Sequence, residues 1–218
     1  MPRESKADRA KRAAKILHAL KKEYPDAQTA LNFSNPLELL VATILSAQCT
    51  DVKVNEVTPE LFARYRTPED YASAGGELEQ MVRPTGFYRN KAKNIRKAAR
   101  IIADEHGGEV PRTMEELTAL PGVARKTANI VLGSAYGRNE GMAVDRHVQR
   151  VSGRLKLTRH KNNQGDRIEK DLCALVPRKE WTFFSHALVL HGRRYCTARK
   201  PNCDECPLAK LCPSAGKV

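Results

Sequence analysis

The sequence lacks the features of β-sheet, membrane-spanning, repeat and secreted proteins. No stretch alternates apolar and polar residues in the way that a half-buried strand does. No apolar run reaches the ~18 residues that a membrane-spanning helix needs. The start, MPRESKADRAKRAAKIL, has no apolar signal core. Internal repeats and low-complexity linkers are also missing. We therefore expect a soluble, intracellular protein that contains no sheet.

Acidic residues are in the minority and aromatic residues are few. The chain has 38 Lys and Arg against 25 Asp and Glu, a net charge of +13, and only 6% aromatic residues. With 218 residues, of which 41% are hydrophobic, it can build one large core or two small ones. The positive excess is spread over the chain, which favours a polyanionic partner and above all nucleic acid. A merely solubilising surface is the alternative.

Helical periodicity covers nearly the whole chain. In residues 5–23 apolar residues fall three and four apart, and Ser5 with Asp8 is a candidate capping box. Asn35 before Pro36 is typical of an N-cap and a first helical residue. Further helices are predicted from Thr67, over 90–106, from Thr113 with Glu116, and over 145–155, 164–176 and 181–195. About nine or ten short helices result, so the predicted fold is all-α.

The segment LPGVARKTANIVLGSAYG, residues 120–137, predicts two helices joined by a hairpin. Pro121 and Gly122 force a tight turn after one helix, and ARKTANIVL begins the next. Backbone N–H groups in such a turn bind phosphate oxygens without reading base sequence. A phosphate-loop NTPase is the rival suggested by Lys126 and Thr127. It fails, because Arg125 replaces the required glycine and no strand precedes the turn.

Four of the six cysteines are concentrated near the C-terminus, in CTARKPNCDECPLAKLC. They are Cys196, Cys203, Cys206 and Cys212. An intracellular, reducing location argues against disulfides, so the four are candidate metal ligands. Four thiolates suit tetrahedral zinc and iron–sulfur clusters, and the spacing alone leaves both open. Zinc sites usually pair two short C-x2-4-C knuckles, and only one short pair occurs here. Cys49 and Cys173 are predicted to be buried core thiols in apolar helices.

Five motifs occur together in one order along the chain. They are LSAQCTD, TGFYRNKAKNI, LPGVARKTA, AVDRHVQRV and the cysteine cluster. In this combination the chain resembles the endonuclease III family, which are bifunctional DNA glycosylases and AP lyases of the helix-hairpin-helix superfamily. The resemblance implies removal of oxidised pyrimidines from damaged double-stranded DNA, followed by β-elimination at the abasic site. It further implies a monomer located in the cytoplasm and, in a bacterium, at the nucleoid.

The resemblance assigns the catalytic roles to Lys126 and Asp145. An amine can attack the sugar C1′, displace the base and remain as a Schiff base, which acidifies the C2′ proton. A nearby carboxylate can stabilise positive charge on the sugar and transfer protons. Without the family pattern, Lys126 would be read as an ordinary solvated lysine. Asp145 is in addition an obvious N-cap of the helix that follows it.

The remaining implied contacts are with DNA. Gln48 is expected to fill the gap left by the flipped nucleotide, and Phe87 to act as a wedge against the opposite strand. The alternatives are an exposed helix end for Gln48 and a core aromatic for Phe87. Arg199 and Lys200 are expected on phosphates. The implied contacts of the hairpin are Leu120, Pro121, Gly122, Val123, Ala124, Arg125 and Thr127.

The same resemblance implies that the four clustered cysteines hold a [4Fe-4S] cluster. It divides the chain into a six-helix domain with the hairpin, at 29–138, and a cluster domain made of 1–28 plus 139–218. The DNA-binding cleft and the active site are expected between the two domains.

Two departures from the family pattern, and three competing functions, remain. Ala124 stands where the family has a second hairpin glycine, and alanine fits only if its φ is not positive. Arg146 stands where a threonine is common, and adds a charge beside Asp145.

A mismatch adenine glycosylase is the competing function within the same superfamily. It would have another residue at the position of Lys126 and usually a further C-terminal domain. A non-catalytic DNA-binding module and an iron–sulfur electron carrier are the candidates from other classes.

Overall fold

The computed structural model describes residues 4–161 and 163–217, and the regular secondary structure of these residues is helical. They form eleven α-helices and three short 3₁₀ helices, with no strand in the described part. The all-α prediction is therefore confirmed. None of the helices in the described ranges combines the length and the apolar character needed to span a membrane.

The chain divides into two compact units. The hairpin unit is Thr29–Arg138, and the cysteine unit joins the residues up to Gln28 with those from Asn139 onward. The cysteine unit is thus built from both ends of the chain.

The hairpin unit contains seven α-helices. They are α2 (Pro36–Leu45), α3 (Asp51–Arg64), α4 (Pro68–Ser73), α5 (Gly76–Val82), α6 (Tyr88–Glu105), α7 (Met114–Ala119) and α8 (Arg125–Tyr136). A 3₁₀ turn, Arg83–Thr85, precedes α6. Helix α4 packs on α6, and α2 packs on α8. Their shared core includes Leu39, Leu45, Ile95 and Leu132, all fully or almost fully buried.

The cysteine unit contains four α-helices. They are α1 (Lys6–Glu23), α9 (Arg146–Arg154), α10 (Gly165–Cys173) and α11 (Trp181–Arg194). Helix α11 packs against both α9 and α1, so the N-terminal helix completes the core of the C-terminal segment. Ile16, Val148, Phe184 and Leu188 are buried there. This burial explains the apolar spacing of three and four along α1.

The helix starts follow the predicted caps. The Ser5 hydroxyl accepts from the Asp8 amide at 3.0 Å, and the Asn35 side chain accepts from the Glu38 amide at 2.9 Å. Thr67 forms a complete capping box. The helix predicted over 90–106 begins earlier, at Tyr88, and ends at Glu105.

Candidate nucleic-acid interface and cysteine loop

The hairpin turn, residues 120–124, connects α7 to α8 and is anchored in the core. Leu120 and Val123 are only 2% and 6% exposed, and the Val123 amide donates to the Leu120 carbonyl at 3.1 Å. Gly122 lies in the left-handed region, with φ at +81°. A Cβ added there would lie 3.0 Å from two side-chain atoms of Asn94. Gly122 is therefore required both for its backbone angle and for close packing.

Ala124 is the N-cap of α8 and has an extended backbone, with φ −90° and ψ 167°. A negative φ suits alanine, so the missing second glycine leaves no strain at this position. No side chain caps this helix start. The start of a helix without a side-chain cap is a place where backbone amides can bind an acceptor such as a phosphate oxygen.

Lys126 is the second residue of α8, and its side chain is exposed. The exposed Arg125 precedes it and the half-buried Thr127 follows it. The hairpin turn therefore places an accessible amine within one helical turn of the backbone amides.

Gln48 and Phe87 both have left-handed backbones, with φ +52° and +48°. Gln48 is exposed in the turn after α2, and Phe87, the N-cap of α6, is 65% exposed. Such conformations cost about 1–2 kcal/mol for residues other than glycine, and they concentrate at functional positions. The alternative interpretation of Phe87 as a core aromatic is wrong.

Asp145 caps α9 through a single carboxylate oxygen. Its Oδ1 accepts from the His147 amide at 2.7 Å and from the Val148 amide at 2.8 Å. The predicted N-cap is therefore confirmed, and the carboxylate is half-buried. Neither cap bond uses Oδ2. Arg146 begins the helix and is exposed.

Two arginines of α9 connect this helix to the start of the cysteine loop, residues 196–212. Arg150 donates to the Cys196 carbonyl at 3.0 Å and to the Gly192 carbonyl at 2.9 Å. Arg154 donates to the Thr197 carbonyl at 2.6 Å and to the Cys196 Sγ at 3.3 Å. The helix that carries Asp145 and the first part of the cysteine loop are thus fixed to each other.

The four clustered cysteines are half-buried, carry free thiols and line one pocket. Burial raises the pKa of the Cys206 and Cys212 thiols. Among the described residues, no three His, Cys, Asp or Glu side chains are grouped as ligands of one metal ion. Four half-buried thiols that line one pocket fit an iron–sulfur cluster, in which each thiolate binds a different iron.

Arg199 and Lys200 are exposed in the segment between the first two clustered cysteines. The Thr197 hydroxyl donates to the Lys200 carbonyl at 2.6 Å, and the Asn202 amide donates to the Tyr195 carbonyl at 2.9 Å. These bonds fold the segment into a compact bend that presents both cations to solvent.

The two cysteines outside the loop differ in part from expectation. Cys49 lies in a bend after α2 rather than within a helix, and Cys173 is the last residue of α10. Both pack against a core but are only half-buried. The reason is that Cys49 lies in the connection between α2 and α3 and Cys173 at the end of α10, and neither lies in the middle of a buried helix face.

Sequence reasoning missed Lys91, which is only 4% exposed and bonds to two backbone carbonyls. A signal for it was present. Lys91 precedes Ile95, Ala98 and Ile102 at spacings of four, three and four, so it occupies the apolar face of α6. A lysine on a buried face has to find partners.

The chain matches two protein families, each over a defined range. Residues 41–178 match the family described as HhH-GPD superfamily base excision DNA repair protein. Residues 196–212 match the iron–sulfur binding domain of endonuclease III. The two matches cover, respectively, the segment from α2 to the 3₁₀ turn before α11 and the cysteine loop.

Relatives and solved structures agree with these matches. The chain is 55% identical to endonuclease III of Synechocystis sp., over 96% of this chain and 95% of the relative. It is 43% identical to endonuclease III of Escherichia coli K12, over 93% and 95%. It is also similar to the structure of a non-covalent endonuclease III–DNA complex, with TM-score 0.89 and 45% identity over 94% and 96% of the two chains. A trapped endonuclease III–DNA covalent intermediate gives TM-score 0.88 at 45% identity, over the same shares of the two chains.

Proposed function

Because the chain belongs to the endonuclease III family of base excision repair enzymes, we propose that it excises oxidised pyrimidines from duplex DNA and cleaves the strand 3′ to the abasic site. The observation that carries this proposal is the exposed amine of Lys126, placed in the first turn of α8 directly after the hairpin turn. The enzyme works as a monomer on damaged DNA and, in a bacterial cell, in the cytoplasm at the nucleoid.

Lys126 is the nucleophile. Its neutral Nζ attacks the sugar C1′, the bond from C1′ to the base breaks, and the base leaves with the electron pair and takes up a proton. Opening of the sugar ring and loss of a proton from nitrogen give a Schiff base between Nζ and C1′. Removal of a C2′ proton then moves an electron pair toward C3′ and expels the 3′ phosphate.

Asp145 acts on the same deoxyribose. A carboxylate stabilises the positive charge that develops on the sugar as the base departs, and it can accept or return protons during the elimination. Because Oδ1 is fixed by two amides of α9, the orientation of the carboxylate is set before DNA binds. We assign Oδ2 to the sugar. The exposed Arg146 supplies a cation beside this carboxylate for the DNA backbone.

The hairpin and the cysteine loop bind phosphates by different groups. The uncapped start of α8, with the turn from Leu120 through Ala124 and the side chains of Arg125 and Thr127, offers backbone and side-chain donors. Arg199 and Lys200 add two point charges from the other unit. Both sets hold the backbone without reading bases.

Gln48 and Phe87 support the duplex while the damaged nucleotide is outside the stack. Gln48 fills the vacated position, and the Phe87 ring stacks against the bases of the opposite strand. Their exposure and their left-handed backbones support this assignment, since the fold pays a conformational cost to hold both side chains outward.

The cysteine loop holds a [4Fe-4S] cluster. We assign the four ligands to Cys196, Cys203, Cys206 and Cys212, which would bind iron as thiolates. Burial raises the pKa of two of these thiols, those of Cys206 and Cys212. When bound, the cluster supplies a four-point link that closes the loop. The loop residues then position Arg199 and Lys200.

Borohydride trapping on abasic duplex DNA tests the proposed reaction. The wild-type chain should form a stable one-to-one covalent complex, because borohydride reduces the Schiff base. The Lys126→Ala variant should form none, while Lys15→Ala, a change at an exposed lysine of α1, should trap as well as wild type. If wild type traps no better than Lys126→Ala, the assignment of Lys126 as the nucleophile is wrong. Absence of trapping in both proteins would leave a non-catalytic DNA-binding module.

A further inference from the structure

Lys91 is a buried lysine that connects two loops of the hairpin unit. Its side chain lies in the core, and Nζ donates to the Leu45 carbonyl at 2.7 Å and to the Thr85 carbonyl at 2.8 Å. Leu45 is the last residue of α2, and Thr85 is the last residue of the 3₁₀ turn before α6. Each carbonyl stands at a helix end, where intrahelical donors run out.

The two carbonyls lie just before Gln48 and Phe87. Gln48 follows Leu45 by three residues, and Phe87 follows Thr85 by two. The Lys91 amide also donates to the Phe87 carbonyl, at 3.1 Å. One residue therefore contacts the segments on which both exposed, left-handed side chains depend.

Joining two loops through a buried ammonium group is energetically unfavourable, because the charge has to leave water. Removing a charged amine from water is unfavourable unless it is well bonded, and burial lowers the pKa of Lys91, against an opposing effect of Cys49. An apolar residue would fill the same space in the core without that cost. The distinguishing feature of lysine here is that its head bonds to two carbonyls, each at the base of a different loop.

We propose that Lys91 is a positioning residue that sets the spacing of the Gln48 and Phe87 loops, so that both side chains enter the duplex together. The inference rests on the proposed function of those two side chains. It predicts that Lys91 matters for reactions that need an opened duplex and not for reactions on DNA that is already single-stranded.

The test compares two substrates for the Lys91→Met variant, in which the side chain is unbranched, one atom shorter and without donors. Single-turnover excision of an oxidised pyrimidine from duplex DNA should slow about tenfold or more. The β-elimination on a single-stranded abasic oligonucleotide should stay within about twofold of wild type. Fluorescence of 2-aminopurine placed opposite the lesion should rise less on binding, because the base opposite is displaced less often.

The matched control is Lys97→Met on the same helix, where the lysine is exposed, and it should change neither rate. A parallel loss of both activities in Lys91→Met, tracking a lower melting temperature, would show a purely structural role and contradict the inference. If Lys91→Met does not fold, Lys91→Gln, which keeps one donor group, replaces it in the same comparison. If neither variant folds, Lys91 serves to stabilise the core, and the inference is contradicted.

A double-mutant cycle separates this inference from the proposed function. Gln48→Ala combined with Phe87→Ala should slow duplex excision, and adding Lys91→Met should then change it little. If Gln48→Ala and Phe87→Ala have no effect on duplex excision, the assignment of the wedge is wrong and the inference fails with it. If they slow excision and Lys91→Met does not, only the inference is wrong.

Discussion

The hairpin turn and the cysteine loop are both proposed to bind the DNA backbone, yet they are held in place by different means. The hairpin turn is anchored by Leu120 and Val123 in the core of its unit. The cysteine loop contributes one fully buried apolar residue, Leu208. Leu211 and three of the cysteines pack against the core only in part, and the loop is otherwise attached by the arginines of α9 and by hydrogen bonds. Apolar packing therefore holds the conformation of the hairpin turn, whereas the conformation of the cysteine loop depends on the bound cluster.

The comparison also applies to the proposed catalytic groups. Lys126 lies in the element held by packing, and Asp145 caps the helix that Arg150 and Arg154 fix to the cysteine loop. Losing the cluster should therefore disturb the surroundings of Asp145 before those of Lys126.

The largest effect on rate within the cysteine unit is expected from Asp145→Ser. Serine caps a helix about as well as aspartate, so the free energy of unfolding should change by no more than about 0.5 kcal/mol. Excision should nevertheless fall about a hundredfold or more, because the carboxylate is lost. Asp145→Ala, which removes the cap as well, should cost about 1 kcal/mol of stability. Urea unfolding and single-turnover kinetics measure the two effects, and an active Asp145→Ser would restrict Asp145 to capping.

Loss of the cluster should be the next largest effect. Cys203→Ser should lower the iron content and weaken binding to abasic DNA about tenfold, since Arg199 and Lys200 are no longer held. Hydrogen exchange should show lost protection in the cysteine loop and at the start of α9. Amides of α8 should keep theirs, because packing holds that helix. Exchange that rises equally in both units would contradict the contrast between them.

A glycine–alanine exchange tests the packing of the hairpin turn. Gly122→Ala should destabilise the chain by about 1–3 kcal/mol, because alanine strains a left-handed backbone and its methyl group meets Asn94. Ala124→Gly is the matched control. Its backbone is already extended, so stability should change by only about 0.5 kcal/mol. If both changes altered the stability by a similar amount, Gly122 would not be constrained by its backbone angle and its contact with Asn94.

The smallest effect is expected from the exposed cations of the cysteine loop. Arg199→Ala and Lys200→Ala should each reduce the slope of log affinity against log salt by about one, since each removes one phosphate contact. Affinity for undamaged and abasic duplexes should fall by the same factor. Lys15→Ala, in the exposed part of α1, should leave the slope unchanged. If both loop variants keep the wild-type slope, Arg199 and Lys200 do not contact phosphates and only balance the charge of the cluster.

The sequence predicted local features better than distant ones. The caps at Asn35, Thr67 and Asp145 bond to amides two to three residues away, so a short motif contains both partners. Two helices were not predicted: α3, which contains Pro59, and α5, which begins at Gly76 directly after Gly75 and has no side-chain cap. Lys91 was missed because one of its partners is 46 residues away, and only the fold brings them together.

In the candidate site, too, local features could be predicted from the sequence and distant contacts could not. Gly122 could be predicted from the turn it forms, but its contact with Asn94 joins α6 to the hairpin turn and is set by tertiary packing. The bonds from Arg150 and Arg154 to the cysteine loop are likewise long-range, spanning 42 to 46 residues. Motifs predict the reacting groups, whereas the residues that hold them are found only in the folded chain.

The most direct test of the central claim is to locate the covalent bond. Wild-type protein trapped by borohydride on abasic duplex DNA should be digested with nuclease and protease, and the modified peptide identified by mass spectrometry. We predict one reduced sugar adduct, on Nζ of Lys126 in the first turn of α8. An adduct on any other amine of the chain would contradict the assignment of Lys126 as the nucleophile.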